Sequence, residues 1–286
     1  MDRRPKRRKR RRSPARPFDV ALAATLHDPT GGLADDLTRF LPGLAALYRG
    51  VAVATSPPTA PRLRTLLADA GAYAGTPPAN TRGPLYRLAL RRAVATGARR
   101  VHYLDFDRAL HWMRRAPREL AAMLRVARRH PVLVIGRTPG AHRSHHLPLY
   151  ATEVLANRLM AVRLGVTGRL DVLVPSFVTD AEDTRRLLAR SRARDEAVYG
   201  ELAALVLGLA PEIAYLECRG LDWETPDRHR RAVRRVGLPA WRRRQETPAE
   251  WALRIELAAG IVQAFERTLA RWPAGPLVRR VAPRAG

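Results

Sequence analysis

The chain has 286 residues and 46% hydrophobic content, enough to bury a full core in one domain or two small ones. Fifty-two Lys and Arg against 26 Asp and Glu give a formal net charge of +26, while no apolar run reaches the length of a membrane-spanning helix. The single cysteine, Cys218, excludes an internal disulfide framework, fits a reducing, cytoplasmic compartment, and reads as a small core residue.

Residues 1–16 hold ten Lys/Arg and one Asp, so they are expected to repel one another, to be disordered, and to be dispensable for the core. Three roles compete for this basic tail: contact with nucleic acid, peripheral attachment to an anionic membrane surface, or a solvated leader. No aromatic residue is interleaved in it, which disfavours stacking on single strands. Asp19 interrupts the apolar segment that follows, which argues against a secretory signal. The remaining +17 is mostly Arg scattered over predicted helices and reads as solvated faces.

In chain order, Phe18–Leu26 predicts a buried strand, 33–48 an amphipathic helix, 51–55 a second strand and 60–70 a helix. Residues 75–84 form a polar, Pro-rich loop. A helix then begins with Pro84 at its first position and stops at Gly97, with Tyr86, Ala89, Leu90, Ala93 and Val94 on one face. Residues 101–104 are strand-like and deliver Asp105 and Asp107 at the strand's end. In an extended chain that spacing points both carboxylates to one side, as a site for a divalent cation, Mn2+ or Mg2+, requires.

Beyond it, 117–129 predicts a helix and 131–135 a strand. Residues 138–146, with His142, His145 and His146, read as a flexible, solvent-exposed loop, since no framework presents the imidazoles to a metal. A helix follows over 149–164, stopped at Gly165, and a strand over 171–175. A capping box at Thr179 to Glu182 opens another helix, and a further helix (195–209) and strand (213–217) come next. A second capping box, Thr247 to Glu250, starts a helix whose stripe of Trp251, Ile255, Ala258, Val262, Phe265 and Leu269 reads as core. The alternation of strands and helices predicts an α/β fold with a mostly parallel central sheet flanked by helices. One domain is expected over 18–275, between the basic tail (1–17) and a C-terminal tail (276–286).

The stretch Asn80, Arg82, Gly83, then Leu88-Ala89-Leu90, Ala95-Thr96-Gly97 and Tyr103-Leu104-Asp105-Phe106-Asp107 resembles, in order and spacing, the GT-A fold glycosyltransferases, in particular glycosyltransferase family 2. The close match covers 80–107, and the architecture matches over 18 to about 227. The resemblance implies a single Rossmann-like GT-A domain that transfers a sugar from a nucleoside diphosphate sugar to an acceptor, with Asp105 and Asp107 holding the metal as a DxD motif. It implies donor contacts by Thr25 and His27 at the end of the first strand, by Asn80 and Arg82 in the loop, by Asp105, and by Arg137 or Arg143 near the phosphates. It further implies an acidic base, for which Glu224 with Asp222 or Asp227 nearby, and the pair Asp195-Glu196, are candidates. The chain departs from the family after its second strand, where Thr55-Ser56-Pro57 stands in place of an acidic residue.

Two other readings stay open. One is a non-catalytic GT-A-like protein that binds nucleic acid or membrane through its basic tail. The other is a sugar-phosphate nucleotidyltransferase, for which Asp28-Pro29-Thr30-Gly31-Gly32 offers the glycines without a Lys or Arg. The sequence lacks the P-loop, the dinucleotide-binding glycine pattern, the nucleophile elbow and the HExxH pattern.

Overall fold

The computed structural model describes residues 17–272 and 277–281, so the expectations for 1–16 lie outside the described residues. The first half contains β1 (Phe18–Leu26), α1 (Ala34–Leu47), β2 (Tyr48–Thr55), α2 (Pro61–Asp69), β3 (Tyr73–Gly75), α3 (Arg82–Ala95) and β4 (Arg100–Tyr103). Then come α4 (Phe106–Arg115), α5 (Pro117–Ala127), β5 (Val132–Arg137), α6 (Pro139–Arg143), α7 (Leu147–Arg163), β6 (Phe177–Asp180), α8 (Ala181–Arg190), α9 (Val198–Leu207) and β7 (Glu212–Cys218). The chain ends in α10 (Arg230–Val236), α11 (Leu238–Arg243), the long α12 (Pro248–Arg271) and β8 (Leu277–Arg280).

The strands form one sheet in the order β3-β2-β1-β4-β6-β5-β7-β8. All neighbours are parallel except β6, which runs antiparallel to both β4 and β5. The architecture is therefore the mostly parallel α/β sheet that the strand–helix alternation predicts. Side chains alternate across a strand, and β1 divides accordingly. Ala21 and Ala23 join α3, α9 and α12 in one core, while Val20, Leu22, Ala24 and Leu26 join α1, α4 and α5 in the other. A central strand covered on both faces must be apolar throughout, which is why this stretch has no polar alternation. Cys218 is buried in the second core, as its residue type suggests.

Several elements differ from the sequence reading, each for a local reason. α3 begins two residues before Pro84, although Gly97 ends it as expected with a φ of 73°. The chain does not stay extended past β4: Asp105 occupies the N-cap position of α4 and Asp107 its first turn, where acidic side chains favour the positive end of the helix dipole. The predicted pairing of the two carboxylates on one strand face is thereby corrected. The histidine loop is also corrected. Thr138 caps α6 by accepting from the Ala141 N–H at 3.2 Å, and His142, His145 and His146 turn inward and are buried.

Residues 171–175 form no strand, because Asn157 accepts the Val172 N–H and the Tyr215 hydroxyl accepts that of Asp171. The box at 179–182 does not form either: Thr179 lies within β6 and Asp180 takes the N-cap position, its carboxylate paired with Arg100 at 2.8 Å. The box at Thr247 does form, with Pro248 first in α12. Along α12, Phe265 and Leu269 are buried, but Ile255 is 58% exposed and Trp251 half-buried, so only the second half of the stripe is core. Leu277–Arg280, read as tail, pairs with β7 as an eighth strand.

Candidate functional site

The order of the sheet creates the site. The chain leaves β1 toward β2 and β3 on one side, then returns to β4 on the other. At such a reversal the loops after the two central strands diverge and leave a crevice at their carboxyl ends. Thr25 is the penultimate residue of β1, His27 and Ser56 follow β1 and β2, and Asp105 lies just beyond β4.

Asp105 ties the two central strands together. Its Oδ1 accepts from Thr25 Oγ1 at 2.9 Å, from the Tyr103 hydroxyl at 3.0 Å and from the Tyr86 hydroxyl at 3.4 Å. The Tyr86 and Tyr103 rings stack with centroids 4.7 Å apart, which fixes both hydroxyls. Oδ2 is left facing Arg108 Nε at 3.8 Å. Burial and the nearby charge of Asp107 push the Asp105 carboxyl above its usual range, against the pull of Arg108 and Arg82. Asp107 accepts the Arg108 N–H at 2.9 Å on Oδ1 and lies 3.4 Å from Arg228 on Oδ2.

Two cavities meet at Arg82. One, of about 210 Å³, is lined by His27, Ser56, Asn80, Thr81, Arg82 and Glu196. His27 Nδ1 lies 2.7 Å from Ser56 Oγ, and burial together with Arg82 and Arg228 lowers its pKa, which favours a neutral imidazole. The other cavity, of about 240 Å³, is bordered by Arg82, Asp105, Arg108, Tyr199 and Arg254, with Leu149, Leu173 and Ile261 as an apolar wall. Arg82 and Glu196 sit 3.9 Å apart at the boundary.

Arg108 is the least satisfied group here. It is 9% exposed, yet its Nε and Nη1 have no hydrogen-bond partner among the described residues. Burial works against its charge, but Glu224 at 3.4 Å and then Asp105 outweigh that and hold the guanidinium protonated. Glu224 is buried behind it, with Oε2 also 3.8 Å from His145 Nε2; burial raises its pKa and Arg108 opposes the rise.

Thr25, His27, Asn80, Arg82 and Asp105 thus converge on the crevice, with Asp107 beside it in the first turn of α4. Arg137 and Asp222 do not. Arg137 is fully enclosed, donating from Nε at 2.8 Å and Nη2 at 2.9 Å to Asp171 and from Nη2 at 2.5 Å to Glu153, so it offers no face to a phosphate. Arg143 lines a separate cavity behind α7. Asp222 lines neither site cavity; it bonds one nitrogen of His111 at 2.8 Å while Asp227 bonds the other at 2.7 Å. Asp195 accepts the Ala197 N–H just before α9, and its neighbour Glu196 reaches both cavities. Tyr86, Tyr103, Ser56, Tyr199, Arg108, Arg228 and Arg254 also border the site, and none of them carries a site role in the sequence pattern. The two tyrosines follow the apolar pattern of their elements, and the arginines are indistinguishable from those on solvated faces.

Among the described residues no three His, Cys, Asp or Glu side chains gather as a metal cage. Asp105 Oδ2, free of hydrogen bonds, and Asp107 could each give one oxygen. A hard cation such as Mg2+ takes one or two carboxylates, completing its shell with phosphate oxygens and water. The donor set fits that chemistry.

The sequence matches no protein-family model and no curated protein. Among solved structures the chain is similar to glucosyl-3-phosphoglycerate synthase from Mycobacterium tuberculosis in complex with Mn2+, UDP and phosphoglyceric acid, at 16% identity and a TM-score of 0.47, over 71% of this chain and 69% of that one. A structure of the same enzyme with phosphoglyceric acid alone aligns at 13% identity and a TM-score of 0.41, over 68% and 80% of the two chains. A mycobacterial protein aligns at 17% identity and a TM-score of 0.37, over 68% and 74%. Likenesses of this size carry no residue role across.

Proposed function

We propose that the chain is a glycosyltransferase that takes its sugar from a nucleoside diphosphate donor, with Asp105 and Asp107 holding Mn2+ or Mg2+. The observation that carries this reading is the Thr25–Asp105 hydrogen bond across the reversal of the sheet, with a cavity on either side of Arg82. A carboxylate held there, in a cavity bordered by Arg82, Arg108 and Arg254 and joined at Arg82 to a second one, suits a ligand with an anionic middle and two unlike ends.

In this reading the cavity of His27, Ser56 and Asn80 receives the base and ribose. Hydroxyl and imidazole groups replace the acidic ribose contact that the Thr55-Ser56-Pro57 sequence lacks. Arg82 and Arg108 face the diphosphate, and the unpartnered N–H groups of Arg108 are donors in place before a ligand arrives. A divalent cation, when bound, supplies Lewis-acid neutralisation of the departing diphosphate. Thr25, Tyr86 and Tyr103 hold Asp105 in one orientation by occupying Oδ1, so that Oδ2 stays turned toward the ligand. Glu224 reaches the site only through Arg108, so we assign it to positioning that guanidinium, and we assign Asp222 to the His111 pair.

Calorimetric titration of UDP- and GDP-sugars with Mn2+ into the wild type, Asp105→Asn and Asp107→Asn tests the reading. Metal-dependent binding is expected in the wild type, weakened at least tenfold in each variant, on the order of 1.4 kcal/mol or more. Both variants should melt close to the wild type, since each neutralises one of two mutually repelling carboxylates. Equal affinity in all three proteins, or no binding of any donor to the wild type, ends it.

A further inference from the structure

A groove of about 760 Å³ opens between the 30–32 loop, the start of α2 and α10. Arg62, Arg228, Arg230, Arg231 and Arg234 line it, with Asp35 as the one carboxylate in its wall. Arg230 is paired with Asp36 and Arg228 lies 3.4 Å from Asp107, whereas Arg62, Arg231 and Arg234 make no ion pair among the described residues.

A solvated basic face, the ordinary fate of arginine in this chain, needs only one convex helix surface. Here the fold brings Arg62 on α2 to the same concavity as four arginines from 228–234, far away in sequence. Like charges gathered around one concavity add their fields on whatever anion enters. The wall is also fixed in place: a Cβ on Gly32 would lie 2.4 Å from the Arg228 carbonyl oxygen, so the loop rests directly on the backbone that leads into α10. At the inner end Arg228 donates from Nη1 to the His27 carbonyl at 2.8 Å, and its Nε is buried without a partner among the described residues. Arg228 thus belongs both to the groove wall and, 3.4 Å from Asp107, to the edge of the crevice, while the groove shares no lining residue with the cavity of Asn80.

We propose that this groove binds a second ligand that carries clustered phosphates, distinct from a donor nucleotide, and holds it beside Asp107. Its volume is that of a small-molecule site rather than of a track for a long polymer. The site exists whether or not the sugar-transfer reading holds.

The test is calorimetric titration of sodium tripolyphosphate into the full-length protein, with two double variants of equal charge change. Arg231→Ser/Arg234→Ser removes two exposed groove cations, and Arg125→Ser/Arg128→Ser removes two exposed cations from the end of α5 and its C-cap. Binding is expected to weaken at least tenfold in the groove variant and to stay at the wild-type level in the α5 variant, with all three proteins melting together. Equal weakening in both variants would reduce the effect to net charge and overturn the proposal, as would unchanged binding in the groove variant. Displacement of tripolyphosphate by excess UDP or GDP would make the groove part of the nucleotide site and also overturn it. Binding of a single-stranded oligonucleotide with none of tripolyphosphate would replace it by a nucleic-acid surface.

Discussion

His111 is held between two carboxylates, and its chemistry follows from that position. Burial alone would lower its pKa, but the hydrogen bonds it donates to Asp222 and Asp227 outweigh burial and raise it to about 9. A histidine whose pKa is higher in the folded than in the unfolded chain stabilises the fold fully below the unfolded value, roughly pH 6.5. That contribution is lost as pH rises through about 9. Stability measured by urea unfolding should therefore fall by about 3 kcal/mol between pH 6.5 and 9. His111→Gln should lack that slope and be less stable at pH 6.5 by roughly 3 kcal/mol, because the acids lose their shared cation and keep only Arg114 at 2.5 Å and Arg115 at 3.9 Å. The same pH slope in both proteins would show that His111 is neutral in the fold. Asp222, whose neighbourhood in sequence suggested a catalytic role, is paired with this imidazole at 2.8 Å.

Among the elements, the packing of α9 on α12 depends on one residue without a side chain. A Cβ on Gly200 would stand 1.9 Å from the Ile261 carbonyl oxygen, a backbone atom that cannot swing aside. Gly200→Ala should cost about 1–3 kcal/mol, as overpacking does, and should displace Tyr199 and Ile261, which border the second cavity. Gly260, the residue before Ile261 in α12, has nothing within 4 Å of such a Cβ. Gly260→Ala should therefore gain up to about 1 kcal/mol from helix propensity. Denaturant midpoints of the two variants moving in the same direction would contradict this account of the interface. Neither glycine stands out in the sequence, since both fall inside ordinary helical patterns. Elements set by local signals were legible: β1 by its apolar run, the end of α3 by Gly97, the start of α12 by Thr247 and Pro248. Those set by distant partners were not. β3 is three residues whose pairing with β2 is its only support as a strand, and the 171–175 segment is held by the side chains of Asn157 and Tyr215. The same division runs through the site. Thr25, His27, Asn80, Arg82 and Asp105 could be gathered from strand ends and the loop between them, whereas the enclosure of Arg137 by Asp171 and Glu153 depends on contacts 34 and 16 residues away.

For the whole molecule, the sheet's closing edge is the feature that the sequence hid most completely. The short run Leu277–Arg280 follows the end of α12 and carries two arginines, so it reads as tail. Its parallel pairing with β7 satisfies one side of a strand whose middle, Ile213 to Leu216, carries no charge, and Val281 extends the ladder by donating to the Tyr215 carbonyl at 2.9 Å. Arg280 adds a contact to Glu217 at 3.4 Å, and together these put a charged strand where Ile213, Ala214, Tyr215 and Leu216 would otherwise form the rim. An apolar strand with free N–H and C=O groups along one side pairs readily with another copy of itself, whereas a short edge strand bearing basic side chains resists such pairing. A chain truncated after residue 275 should therefore still bury both cores but lose several degrees of melting temperature, corresponding to about 2 kcal/mol. It should also aggregate on heating, in a manner that rises with protein concentration, while the full chain stays monodisperse at the same temperatures. Light scattering during a thermal ramp of both proteins measures the two effects together. A truncated protein that melts at the wild-type temperature without added scattering would mean that β7 needs no cover and that residues 276–286 are the tail their composition suggests.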